Sequence, residues 1–404
     1  MQNLTVHNTL SMQKEVFQPL VPGKVNMFVC GPTVQSFIHI GHARTYIFYD
    51  VLARYLSHIG YEVNFLMNVT DVDERITAAA KAGGEDPMKY AERYTKEFLE
   101  DINQLGILTV TKFERVSNYI PEIIRQVSTL IANKHAYVAD GDVFFDTSSF
   151  KHFGELSHQS RADLMLRPIE IAQKKRGLLD FSLWRSVSLV KGKWESPWGL
   201  GSPGWHIQDT AVCMSNFGPQ FDIHGGAYEL IYPHHEASIA QAESLSGVKP
   251  FVKYWIHTGL VNLKGTKMSK SEGNVLNVRD VLRDFSPDKL RLYFLSFPYR
   301  SDAEFDEHKL GKVGDQYDEI RKMAKEIEEK RSTKVRRRDS SKVLQPLYNA
   351  LNDDIDTPRA VEFMMKLAKD GVQEQDPSQV ELYYESLRTA ANILGVNLFG
   401  AWRQ

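Results

Sequence analysis

Cysteine is scarce. Two occur in 404 residues, Cys30 and Cys213. No disulfide framework is therefore expected, and a reducing cytoplasm is the expected compartment. No run of 18 apolar residues and no secretory leader is read, so neither a membrane span nor a membrane partner is expected. The absence of repeats and low-complexity tracts argues against a solenoid or an array. Neither sign of charge dominates: 49 basic residues stand against 51 acidic ones, for a net charge of -2. That balance neither requires nor excludes nucleic acid, because a local patch can bind it without a basic average. What is plentiful is apolar residue, 42% of the chain, enough for a large core spread over two or three domains.

The chain is organised around the stretch from Val29 to Thr45. Cys30 precedes a Gly31-Pro32 turn, and His39 and His42 follow with Gly41 between them. Before it, Val25, Met27 and Val29 alternate as in a strand. After it, Tyr46, Tyr49, Leu52, Ala53 and Leu56 recur with helical spacing. The reading is strand, tight connection, helix. The histidines are three apart and share a face at the helix start. Anions bind there, because the first backbone N–H groups lack partners and the helix dipole adds positive potential. The distant counterpart is Lys267-Met268-Ser269-Lys270-Ser271, a basic, hydroxyl-rich loop suited to closing over phosphates. Alone, a His-x-x-His pair is more often a polar helix face or a metal pair, and such a loop a solvated turn. Together, in a chain with two sheet halves, they point to ATP.

A second strand is expected over residues 64–70. Two βα units in the first 80 residues imply a parallel sheet with helical crossovers. Ligands of such sheets lie beyond the carboxyl ends of the strands, so Cys30 and Thr70 are expected to face one pocket. Residues 1–24 read as turn-rich, 85–135 as mostly helical, and 137–146 as a hairpin turned at Asp140-Gly141. The second half brings Gly204-Trp205-His206 with Asp209, a strand from Phe221 through His224 into Gly225-Gly226, and a helix start at Tyr232-Pro233-His234-His235. From Arg279 the pattern is helical, with caps at Ser286-Pro287 and ahead of Pro358. A basic run at 331–338 interrupts it. The expected division is a catalytic domain at 1–120 and 200–265, a connective insertion at 121–199, a signature loop and contact segment at 266–310, and a helical bundle at 311–404.

Two constellations carry chemistry. His39, His42, Lys267 and Lys270 would stabilise charge on a phosphoryl group in flight. They need not act as acid or base, because a carboxylate attacking an α-phosphate has no proton to lose. Cys30, Asp209 and His234 offer thiolate, carboxylate and imidazole, a donor set that zinc accepts. The commoner reading of those three is a buried thiol, a surface acid and a hydrogen-bonded histidine. Cys213, one turn beyond Asp209, is an alternative donor. Trp205, His206 and His224 read as pocket wall or as core. The run at 331–338 reads as an RNA contact or as a solvated linker.

These residues resemble the class I cysteinyl-tRNA synthetase family over about residues 15 to 395. His39-Ile40-Gly41-His42 is similar to its first signature and Lys267 to Ser271 to its second. Matching blocks include Met27 to Gly31, Asn68 to Asp73, Ser196 to Gly199, Pro203 to His206, Asp222 to Gly226 and Pro233 to Glu236. The resemblance implies an α/β fold: a Rossmann-type parallel-sheet catalytic domain with a connective insertion, then a C-terminal helical bundle. It implies ATP and Mg2+, with Gly41, His224, Gly225, Gly226, Ser269 and Ser271 toward the nucleotide. Cys30, Gly31, Thr70, Trp205, Asp209 and His234 would face the amino acid, cysteine or a relative. An aminoacyl-adenylate forms and is handed to an acceptor.

The departures are at the metal and at the end of the chain. The family holds zinc with two cysteines, a histidine and a glutamate. Cys30 and His234 match; Asp209 stands in place of the second cysteine and Ser238 in place of the glutamate. Zinc on Cys30, Asp209 and His234 therefore stays one of two readings. No anticodon-reading domain is expected after the bundle. A related enzyme, the cysteine ligase of mycothiol biosynthesis, is similar in that respect and in its serine, but keeps the second cysteine. Three readings follow: a tRNA-charging enzyme acting as a monomer, a ligase serving a small amine, and a non-catalytic paralogue. Lys270→Ala is expected to slow adenylate formation far more than it weakens amino acid binding, as measured by single-turnover rates against equilibrium binding. Equal losses would place the loop outside the transition state.

Overall fold

The computed structural model describes residues 3–170, 173–186, 193–263, 265–267, 275–332 and 339–400, with the backbone alone at 266 and 267. At its centre are five parallel strands in the order Val252–Thr258, Phe221–Ala227, Lys24–Val29, Glu62–Val69, Lys112–Arg115. Their inner positions are apolar almost without a break. Val25, Met27, Phe28, Phe65, Leu66 and Met67 are all buried, as expected of strands covered on both faces. The chain leaves Lys24–Val29 in one direction through Glu62–Val69 and returns on its other side as Phe221–Ala227. Strand order thus reverses beside Cys30, the place where such sheets open a crevice for ligands.

The helix Ile40–His58 crosses from this edge and is buried along most of its length. Between the sheet halves stands a four-stranded antiparallel sheet of Ala136–Ala139, Asp142–Phe145, Phe181–Ser186 and Gly201–Pro203. Its first hairpin turns at Asp140 and Gly141, both with positive φ (49° and 84°), which the right-handed twist of a two-residue turn demands. From its last strand the chain enters the helix Trp205–Phe217 through Gly204. A Cβ there would lie 1.9 Å from the Ser182 carbonyl oxygen, so only glycine admits this approach. The helices Glu307–Glu329, Gln345–Asn352, Thr357–Gln373 and Pro377–Leu394 pack together at the C-terminal end.

Three segments differ from the sequence reading. Residues 1–24 hold an antiparallel hairpin, Thr5–Asn8 with Gln13–Val16. Each strand has only four residues, and the second is mostly exposed, so no alternation shows. Lys112–Arg115, inside the stretch read as helical, is the edge strand of the main sheet; four mostly polar residues carry no period. The helix after Pro233 begins properly at Glu236, because Tyr232 is extended (φ -127°, ψ 130°) and kinks the chain.

One buried ion pair fastens the sheet region to the C-terminal helices. Asp50, fully buried, accepts from Arg291 Nη1 and from Arg54 Nε, each at 2.8 Å. Arg291 also donates to the carbonyls of Leu105 and Gly106. Arg54 reaches the Asn392 carbonyl, and Tyr55 donates to Asn352 Oδ1 at 2.7 Å. Burial works against charge on Asp50, but the two guanidinium groups outweigh it and hold the carboxyl below its ordinary range. Removing the charge strands Arg291, so Asp50→Asn is expected to cost about 3–5 kcal/mol by chemical denaturation near neutral pH. A lowered folded pKa stabilises above the unfolded value and ceases to do so as pH falls through the folded one. The gap between wild type and variant should therefore hold down to about pH 4 and close below it.

Candidate active site

A cavity of about 520 Å³ opens at the point of strand reversal. One wall is the start of the helix Ile40–His58. His39 is its N-cap, accepting from Gly41 N at 3.2 Å through Nδ1, while His42 Nδ1 accepts from His39 N at 3.2 Å. Each ring thus supports a backbone N–H at the helix entry, and the rings lie 3.9 Å apart. His39, Gly41 and His42 all line the cavity. Contrary to expectation the first N–H groups have partners, Ile40 on the Leu276 carbonyl, Gly41 on His39 Nδ1, and His42 and Ala43 on the His39 carbonyl, so the attraction left for an anion is the positive end of a 19-residue helix.

The other wall comes from the strand ends and the Trp205–Phe217 helix. Cys30, Gly31, Thr70, Trp205, Asp209 and His234 line it. Trp205 and Asp209 are four apart, so one helix face delivers both. Trp205 stacks on His234 with centroids 4.4 Å apart. Gly31 fits because a Cβ would lie 1.7 Å from the Asn68 carbonyl oxygen. Its N–H donates to Asn68 Oδ1 at 2.7 Å, and Asn68 Nδ2 donates to Asp209 Oδ1 at 2.8 Å. The Cys30 thiol donates to Asp209 Oδ2 at 3.0 Å, and His234 Nε2 lies 2.9 Å from the same oxygen. Burial, then the charge of Asp209, pushes the Cys30 thiol well up. Ordinary pH therefore leaves it protonated.

Beneath lies a row of imidazoles. His235 Nε2 is 3.1 Å from Cys30 Sγ, His235 Nδ1 is 2.8 Å from His257 Nε2, and His257 Nδ1 is 2.8 Å from Thr9 Oγ1. Burial pushes His257 down to about 3 and His206, His224 and His235 well below their ordinary value. These rings are neutral spacers rather than cations.

Three expected nucleotide contacts are not at the cavity wall. His224 is fully buried against Trp255, at 4.4 Å between centroids. Gly225 is packed on the Tyr49 ring and Gly226 on Leu230 and His235. Lys267 lies in the short strand Thr266–Lys267, paired with Asn262; its side chain, and Ser269, Lys270 and Ser271, lie outside the described residues. Cys213 is in the core and away from the cavity. Sequence reasoning gave no role to Asn68 or Arg75. The first sat in plain view within Asn68-Val69-Thr70, but only folding shows what it ties together. The second lines the cavity with its guanidinium 5.2 Å from the Trp205 ring centre.

Cys30 is shared by two sets of candidate metal donors, one with Asp209 and His234, the other with His224 and His235; within each, the donor atoms lie within 4.8 Å of one another. A tetrahedral zinc bonded at ~2.0–2.3 Å would hold such donors roughly 3.3–3.5 Å apart. Here sulfur to carboxylate is 3.0 Å and imidazole to carboxylate 2.9 Å. Ser238 turns away and donates to the His234 carbonyl at 3.0 Å. As arranged, Cys30, Asp209 and His234 hydrogen-bond one another, and Cys30, His224 and His235 form a second candidate set.

The comparisons agree with this architecture. Residues 16–315 match the family model described as tRNA synthetases class I (C) catalytic domain. A cysteine–tRNA ligase of Pelotomaculum thermopropionicum is 40% identical over 387 residues, covering 93% of this chain and 80% of the relative. One from Thermoplasma volcanium is 45% identical over 303 residues, 75% of this chain and 67% of the relative. Among solved structures, methionyl-tRNA synthetase of Mycobacterium tuberculosis in complex with methionyl-adenylate superimposes with a TM-score of 0.65. That match has 15% identity and covers 92% and 89% of the two chains; at that identity the likeness is one of fold. Fold and relatives together define an ATP-dependent ligase that forms an aminoacyl-adenylate. The chain belongs to the class I cysteinyl-tRNA synthetase family.

Asn68→Ala leaves Gly31 N–H without its acceptor and Asp209 Oδ1 without a donor. It is expected to cost about 1–3 kcal/mol of stability. In steady-state kinetics with each substrate varied in turn, KM for the amino acid should rise several-fold more than KM for ATP.

Proposed function

We propose that this enzyme activates cysteine or an amino acid close to it in size and transfers it to tRNA. The observation that carries the reading is the shape of one cavity. An anion-receiving helix start stands at one wall, and at the other a cluster of Cys30, Asp209, His234 and Trp205, buried in part or whole, is suited to a small side chain. ATP, with Mg2+, would lay its phosphates at His39, Gly41 and His42, with Lys267 and Lys270 closing from the far loop. The amino acid would sit between Thr70 and Trp205. Its carboxylate would attack the α-phosphate, where positioning and charge stabilisation supply the rate. The similar proteins named above are cysteine–tRNA ligases, which supports tRNA as acceptor. No helix among the described residues is long and apolar enough to cross a membrane. With two cysteines, both free, this favours the cytoplasm.

Amino-acid-dependent exchange of pyrophosphate into ATP, screened over a full set of amino acids, tests the first half. Strong exchange with one small amino acid is expected, and none with any would leave only a non-catalytic role. Acylation of total tRNA with that amino acid tests the second half. Exchange without acylation would move the acceptor to a small-molecule amine.

A further inference from the structure

Asp209 is a buried carboxylate at the amino-acid end of the cavity, 1% exposed, with hydrogen-bond donors around it. The thiol of Cys30 and the ring of His234 share Oδ2, and the amide of Asn68 takes Oδ1. Among the described residues no lysine or arginine ion-pairs with it; its ion pair is with His234. Each carboxylate oxygen has two acceptor positions, so one on Oδ1 is not used by these three donors. A buried carboxylate in such company gains most from a ligand that brings a strong hydrogen-bond donor or a positive charge.

A thiol is a poor match. Its S–H is a weak donor, and here it would compete with the thiol of Cys30 for the same carboxylate. The alternative, sulfur bound to zinc, has a weaker donor set here: Asp209 stands where a second thiolate would, and Ser238 donates to the His234 carbonyl instead.

Resting on the amino-acid-activating reading above, we infer that Asp209 receives the side chain of the substrate directly, without a metal. That side chain is one of cysteine's size ending in an N–H or O–H donor. Serine and 2,3-diaminopropionate are the simplest examples. Asp209 then sets specificity by charge-assisted hydrogen bonding. An analogue that cannot donate leaves a buried acceptor unmatched and is rejected.

The test uses the full chain in pyrophosphate exchange with serine, 2,3-diaminopropionate, cysteine and alanine. Each is run with and without 1,10-phenanthroline under excess Mg2+, and zinc content is measured by mass spectrometry on the purified protein. Serine or 2,3-diaminopropionate should exceed cysteine and alanine by about 100-fold or more in kcat/KM. The chelator should leave that rate unchanged, and zinc should be far below one per chain. Asp209→Asn, which keeps the shape, should lower kcat/KM for the preferred amino acid mainly through KM. Preference for cysteine, alanine or any amino acid lacking such a donor overturns the inference, as does one zinc per chain. These wild-type measurements stand even if the variant folds poorly. Silence with every amino acid would instead overturn the activation reading itself.

Discussion

The strand Lys24–Val29 is hydrogen-bonded on one side to Glu62–Val69 and on the other to Phe221–Ala227, segments from opposite halves of the chain. That double pairing is the constraint from which the site follows. It brings Cys30, Thr70 and the helix after Ala227 to one edge, and it fixes where the Ile40–His58 helix can start. Parallel pairing leaves the strand ends facing the same way, so the functional ends converge without a dedicated loop. The antiparallel sheet inserted between the halves then supplies Gly204 and, through it, the entry angle of the helix that carries Trp205 and Asp209.

Much of this was legible beforehand. The strand-turn-helix at Val29 to Thr45 has period two, then a glycine-proline turn, then period 3.6, and the structure has the same order. His39 and His42 were expected to share a face, and they do; that both rings also serve as the helix cap was not visible, because capping depends on ring orientation. The short strands escaped. Lys112–Arg115 and Gln13–Val16 are four polar-rich residues each, and only their neighbours' unpaired backbone makes them strands.

The site was legible by residue type more than by role. Cys30, Asp209 and His234 were grouped as donors, and the fold does bring them together. What could not be read was their separation, close enough for each to hydrogen-bond the next. His224 and the two glycines after it were expected toward the nucleotide on the family resemblance, and none of the three lines the cavity. In this fold the side chain of Tyr49 and the imidazole of His235 occupy the space those glycines leave. Burial of one segment by another, far along the chain, leaves no trace in local pattern.

The helix Ile40–His58 has two occupations. One end carries the histidine pair; toward the other, Asp50, Arg54 and Tyr55 are gripped by Arg291, Asn392 and Asn352. At 19 residues it is a rod of about 28 Å. Rods transmit displacement with little loss. A tilt of the C-terminal helices, whatever its source, therefore reaches the cap of His39 as a movement of the same body. The two ends of the molecule share a common alignment, and neither can be adjusted in private.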